Sequence, residues 1–154
     1  MVEDKDPLLD FEIPLHGEFE DPYDGFEEIW HYPNNDREFV SKRWGCEEII
    51  VNNDKYCGKI LTIYSGCKTS YHKHHLKDET FRVMSGVLVV YYGDETEVTG
   101  VVVLSEGHSF RMMPGVCHCL ACAKDRPPVR FIEFSTTDSP DDSYRVKFPT
   151  QRRA

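Results

Sequence analysis

Gly66-Cys67-Lys68-Thr69-Ser70-Tyr71-His72-Lys73-His74-His75-Leu76-Lys77-Asp78-Glu79, with Gly86 following after six residues, is the stretch on which the reading of this sequence turns. Its spacing is G-x5-H-x-H-x4-E-x6-G. In a strand, His72 and His74 share a face because side chains alternate with a period of two. A turn through residues 75–78 returns the chain antiparallel, so that Glu79 joins the two histidines, and the glycines permit the bends at either end. His75 is out of phase with its neighbours and falls in the turn. A second motif, Gly107-x5-Met113-Pro114-Gly115-x2-His118-x3-Cys122, supplies another tight turn and a further histidine entering a strand. His72, His74, Glu79 and His118 are therefore candidate ligands of one divalent metal ion. His16, His31 and His108 stand outside these motifs and read as solvated or packing histidines.

Around these motifs the chain from residue 47 onward is a succession of short β-branched and aromatic runs broken by Gly, Asn, Asp and Pro. It predicts strands at Glu48–Val51, Lys59–Tyr64, Ser70–His74, Thr80–Met84, Val87–Tyr92, Val98–Leu104, Ser109–Met112, His118–Ala121 and Val129–Ser135. Strands recurring every eight to twelve residues or so mark a sandwich or barrel. No segment sustains a 3.6-residue apolar period, which excludes a parallel α/β fold. The expected fold class is all-β, a single antiparallel barrel over residues 41–137. An acidic aromatic arm (residues 1–40) precedes it, and a tail (138–154) follows.

The arm is set apart by charge. Residues 1–36 hold twelve acidic side chains and only Lys5 as a base, a local charge of −11 within a net charge of −9, so residues 37–154 are nearly neutral. The same segment carries six aromatics, Phe11, Phe19, Tyr23, Phe26, Trp30 and Tyr32. That is too many for a solvated tail, and the segment is expected to cover apolar barrel surface or to cross to a second subunit of a homodimer. Phe26–Trp30 is read as one helical turn.

A length of 154 residues is that of one domain. The acidic balance, with a pI near 5.2, argues against nucleic-acid binding, because no basic stripe exists to displace counterions. No apolar run is long enough to span a bilayer, and the acidic start is unlike a secretory signal, so a cytoplasmic location and six reduced thiols are expected. Cys117-His118-Cys119-Leu120-Ala121-Cys122 invites a zinc-knot reading, but such sites pair two clusters, and Cys46, Cys57 and Cys67 stand alone. Continuing the strand from His118 turns Leu120 and Cys122 inward and Cys117 and Cys119 outward. Cys122 is thus either a small buried hydrophobe or a thiol within reach of the metal.

The two motifs resemble those of the cupin superfamily, small jelly-roll barrels (double-stranded β-helices) that hold a metal by three histidines and a glutamate. The second motif departs from the cupin pattern at Met113, where Pro is usual, and at Cys122, where Asn is usual. More narrowly, residues 42–145 are similar to the cupin domain of type II phosphomannose isomerases. The likeness rests on Arg43-Trp44-Gly45-Cys46-Glu47, Lys59-Ile60-Leu61-Thr62-Ile63, the first motif through Phe81, Phe131-Ile132-Glu133-Phe134 and Asp141-Asp142-Ser143-Tyr144-Arg145. That family has Gln where this chain has His72, and the nucleotidyltransferase domain that often accompanies it is absent from this sequence.

The resemblance implies a divalent ion (Zn, Fe, Mn, Ni or Co) and a small-molecule substrate, a sugar or sugar phosphate, isomerised between aldose and ketose. Lys59 and Glu133 are the candidate catalytic residues. Lys59 alternatively lies on the solvent rim, and Glu133 alternatively forms a structural salt bridge. Arg145 is the candidate phosphate clamp, or else anchors the tail through Asp141 or Asp142. Two other functions fit the same ligand set: a metal-dependent dioxygenase and a non-catalytic carbohydrate-binding cupin.

Overall fold

The structure, a computed structural model, describes residues 38–149, which form eleven strands and one 3-10 turn. The strands are β1 (Glu38–Lys42), β2 (Gly45–Asn52), β3 (Cys57–Ile63), β4 (His72–Lys73), β5 (Glu79–Ser85) and β6 (Leu88–Gly93). They continue with β7 (Val98–Leu104), β8 (Ser109–Met112), β9 (Cys117–Ala121), β10 (Val129–Ser135) and β11 (Tyr144–Arg145), the 3-10 turn Pro140–Asp142 preceding β11. Every pairing is antiparallel, in a six-stranded sheet ordered β1-β2-β3-β10-β5-β8 and a five-stranded sheet ordered β11-β4-β9-β6-β7.

Alternation explains the core between them. On β3, β10 and β5 the buried residues Leu61, Ile63, Val129, Phe131, Phe81 and Val83 take every second position, while Arg82 and Arg130 on the opposite phase are exposed. Register places Phe131 between Leu61 and Val83, and its ring meets Phe81 edge-on at 5.7 Å. Leu88, Val90 and Leu120 close the core from the other sheet. Each such buried side chain contributes about 1.5–3 kcal/mol. Gly86 turns β5 into β6 at φ +82°, and a Cβ there would meet Pro128 O and Val129 Cα at 3.0 Å, so the motif glycine is required twice over.

The all-β architecture follows the sequence reading, and two details correct it. The Ser70–His74 strand contracts to β4, and β4 is not the hairpin partner of β5. It pairs with β9 and β11 in the five-stranded sheet, so residues 74–78 cross from one sheet to the other. Strands β1 and β11 were also outside the expected set. The first is a charged edge and the second only two residues long, and pairing rather than local pattern fixes each. The acidic arm, its helical turn and the last five residues lie outside the described residues.

The outer face of the five-stranded sheet has a small apolar cluster of its own. Tyr71, Cys117 and Cys119 are buried there beneath Val146 and Phe148, so the two outward-facing cysteines are nonetheless enclosed.

Candidate metal centre

The pairing of β4 with β9 brings three histidines together inside the barrel. His72 on β4 lies directly opposite His118 on β9, and His74 follows just beyond β4. One nitrogen of each lies within 4.8 Å of the others. The far nitrogens are all engaged by main-chain oxygens: Nδ1 of His72 lies 2.8 Å from Ser70 O, that of His74 2.7 Å from Asp142 O, and that of His118 3.0 Å from Val116 O. A carbonyl oxygen only accepts, so each Nδ1 carries a hydrogen, and a neutral ring then leaves Nε2 bare. Burial, reinforced by His118, lowers the His72 pKa to about 4, and burial also lowers that of His74, which keeps both rings neutral near pH 7.

Glu79, the first residue of β5, completes the group from the other sheet. Its Oε2 lies 3.3 Å from His118 Nε2 and 3.9 Å from His74 Nε2, yet it accepts no hydrogen bond among the described residues. A buried carboxylate oxygen to which nothing donates is costly unless a cation lies against it. Burial alone would raise this carboxyl's pKa, but the Lys77 ammonium 3.1 Å from Oε1 opposes that and holds the group below the ordinary range. Four electron-pair donors, each buried or half-buried, are the donor set of a transition-metal site.

Behind Glu79 lies an ion network. Lys77 Nζ is 3.1 Å from Glu79 Oε1, 2.9 Å from Glu133 Oε2 and 3.0 Å from Asp138 Oδ1. Lys59 Nζ is 2.5 Å from Asp138 Oδ2 and 3.5 Å from Glu47 Oε2. All six groups line one cavity of about 320 Å³ that also holds the three histidines. Four carboxylates (Glu47, Glu79, Glu133, Asp138) share it with the buried ammonium groups of Lys59 and Lys77 and with the exposed side chains of Lys42 and Arg145. Burial first, and then Glu79 beside it, raise the Glu133 pKa to about 7.

The comparisons with known proteins agree with this geometry. The family described as "Cupin domain" matches residues 59–135, half of the chain and all of the site from Lys59 to Glu133. This chain is a cupin. A search of curated proteins finds no match to it. Among solved structures it is similar to KdgF from Halomonas sp., at 16% identity and a TM-score of 0.59, over 70% of this chain and 93% of that one. It is also similar to the capsular polysaccharide assembling protein CapF from Staphylococcus aureus (18% identity, TM-score 0.61, 71% of this chain and 34% of that one). A variant of oxalate decarboxylase from Bacillus subtilis matches likewise (15% identity, TM-score 0.61, 71% and 30%). The chain thus spans about a third of CapF and of the decarboxylase, and at these identities the likeness is one of fold.

The remaining expected site residues of this cupin are placed as follows. Lys59 points into the cavity at 5% exposure, so it is not on the solvent rim, and the carboxylates of Glu133, Asp138 and Glu47 raise its pKa against the opposing effect of burial. Glu133 has both attributes foreseen for it, a salt bridge to Lys77 and a place in the cavity wall. Arg145, on β11 opposite His72, is exposed at the mouth. It does not anchor the tail through Asp142, whose carboxylate instead accepts the main-chain N–H groups of His75, Leu76 and Lys77. Cys122 packs in the main core with its thiol 3.2 Å from Pro127 O and does not line the metal cavity.

Sequence reasoning missed Lys77, Asp138 and Asp142 as parts of this site. Lys77 sits inside the first motif, and a lysine flanked by ligand positions was the available signal. Asp138 and Asp142 come from the segment after the last long strand, and nothing local ties them to the histidines.

Proposed function

We propose that this cupin is a metal-dependent enzyme acting on a sugar or sugar phosphate, interconverting an aldose and a ketose, with one divalent ion held by His72, His74, Glu79 and His118. The observation that carries the reading is the unpartnered Glu79 Oε2 facing histidine nitrogens whose Nδ1 atoms are all engaged elsewhere. A divalent ion there supplies Lewis acidity toward the carbonyl and hydroxyl oxygens of an open-chain sugar.

Isomerisation moves a proton between adjacent carbons, and the group suited to hold it is Glu133. Its pKa of about 7 makes it able both to take and to return a proton near neutrality. Lys59 is assigned the complementary role of a fixed ammonium: held by Asp138 and Glu47, it keeps its proton and favours negative charge developing in the cavity. Lys59 and Lys77 are occupied by carboxylates, whereas Arg145 and Lys42 at the mouth have no ion pair among the described residues. A substrate phosphate is therefore assigned to Arg145 and Lys42, with the reacting carbons inward. The similarity to a protein named for capsular polysaccharide assembly supports a carbohydrate substrate. We also propose that the protein is a homodimer, to be checked by its mass in solution.

The test is metal analysis of protein purified without added ions, then aldose and ketose phosphates screened with and without oxygen. The expected result is interconversion that consumes no oxygen, is abolished by chelation, and incorporates solvent deuterium at the carbon adjacent to the carbonyl. Loss of that incorporation in Glu133→Gln would support its role. Oxygen uptake, or ligand binding with no turnover of any sugar, would replace this reading by one of the two others.

A further inference from the structure

We infer that Lys77 is the positioning residue of the centre: its ammonium holds Glu79 by Oε1 alone and so presents one carboxylate oxygen, Oε2, to the histidine nitrogens. The inference rests on the metal reading of the site and goes beyond it, since a carboxylate with two free oxygens would be equally able to chelate an ion or to turn away from it.

The geometry is unusually complete for a buried lysine. An ammonium has three N–H bonds, and Lys77 has three carboxylate acceptors, at 2.9, 3.0 and 3.1 Å. They come from three places in the chain: Glu133 near the end of β10, Asp138 beyond it, and Glu79 at the start of β5. The lysine is anchored from its other end as well, because its main-chain N–H donates to Asp142 Oδ2 at 3.0 Å. At 4% exposure it has no competing water-facing position. Among the described residues nothing else holds Glu79 Oε1, and nothing donates to Oε2. The division of labour between the two oxygens is thus set by one side chain.

A purely structural alternative treats Lys77 as a cross-link between the sheets, and the two roles separate in a double-mutant cycle. Zinc affinity is measured by competition with a chelator for the native protein, Lys77→Met, Glu79→Gln and the double variant, with circular dichroism confirming the fold of each. If Lys77 acts through Glu79, Lys77→Met weakens zinc binding at least tenfold in the native background and changes it less than twofold in the Glu79→Gln background. Replacing zinc by cobalt gives a spectroscopic check: the visible absorption of the bound ion should shift in Lys77→Met, as the carboxylate changes its mode of attachment. Lys77→Gln retains a donor for Oε1 and is expected to fall between the native protein and Lys77→Met; it replaces the latter if Lys77→Met fails to fold. Equal weakening in both backgrounds, or unchanged or tighter binding in Lys77→Met, would overturn the inference while leaving the metal reading intact. If the native protein binds neither zinc nor cobalt, the metal reading itself fails and this inference falls with it.

Discussion

Asp142→Asn tests how the tail builds the metal centre. The Asp142 side chain binds successive main-chain N–H groups of the crossing between the sheets: Oδ1 accepts the N–H of His75 at 2.9 Å and of Leu76 at 3.1 Å, and Oδ2 that of Lys77 at 3.0 Å. Its own carbonyl receives His74 Nδ1 at 2.7 Å. These bonds hold the carboxyl pKa down against the opposing effect of burial. An asparagine retains one acceptor oxygen and turns an amide toward the other N–H, donor against donor. The loss comprises one hydrogen bond to a charged group and one main-chain N–H left buried without a partner, each about 1–3 kcal/mol. We expect a destabilisation of about 3 kcal/mol, or a fall in Tm of about 10 °C for a barrel of this size, measured on the metal-free protein by urea and thermal unfolding. Zinc affinity should fall as well, since His74 and Lys77 flank the same crossing. A loss below about 1 kcal/mol with unchanged zinc affinity would show that the crossing is held by the sheets alone, and the reasoning would be refuted.

Single replacement of His72, His74 or His118 by Ala should sharply lower metal content with the barrel still folded; normal occupancy in His118→Ala contradicts the four-ligand site. For Glu133, a folded pKa of about 7 against an ordinary 4.5 means that the unfolded chain releases this proton first, so stability is lost as pH rises across that window. Glu133→Gln should therefore gain on the native protein between about pH 4.5 and 7, on the order of 3 kcal/mol in chemical unfolding; a stability difference that does not vary with pH would argue that Glu133 is an ordinary ionised carboxylate. All six cysteines are free in the structure, and thiol titration of denatured, unreduced protein should count six; a lower count would reveal a bridge.

Much of this was legible in the sequence because it depends on local pattern. Alternation over Val98–Leu104 and Val129–Ser135 places both strands at their observed ends, and the paired glycines mark the turns. The H-x-H spacing and His118 name three side chains that do converge, and the same alternation turns Cys122 inward. The hairpin drawn through residues 75–78 failed for a physical reason. Two short segments four residues apart look alike whether the turn between them pairs them or carries the chain to a facing sheet, and the partners that distinguish the two, β9 beside β4 and the Asp142 carboxylate on the crossing, come from far along the chain.

The sequence by itself determined an all-β chain with three histidines and a glutamate at metal-ligand spacing, because side-chain phase and turn chemistry are set within a few residues. Only the tertiary structure decided which charges meet. Lys77 lies between Glu79, Glu133 and Asp138, Lys59 is locked inside rather than solvated, and Arg145 is left at the mouth. Such pairings depend on sheet order and on β10 lying between β3 and β5, and the low-dielectric interior they share makes each group's protonation depend on neighbours that no local stretch of sequence contains.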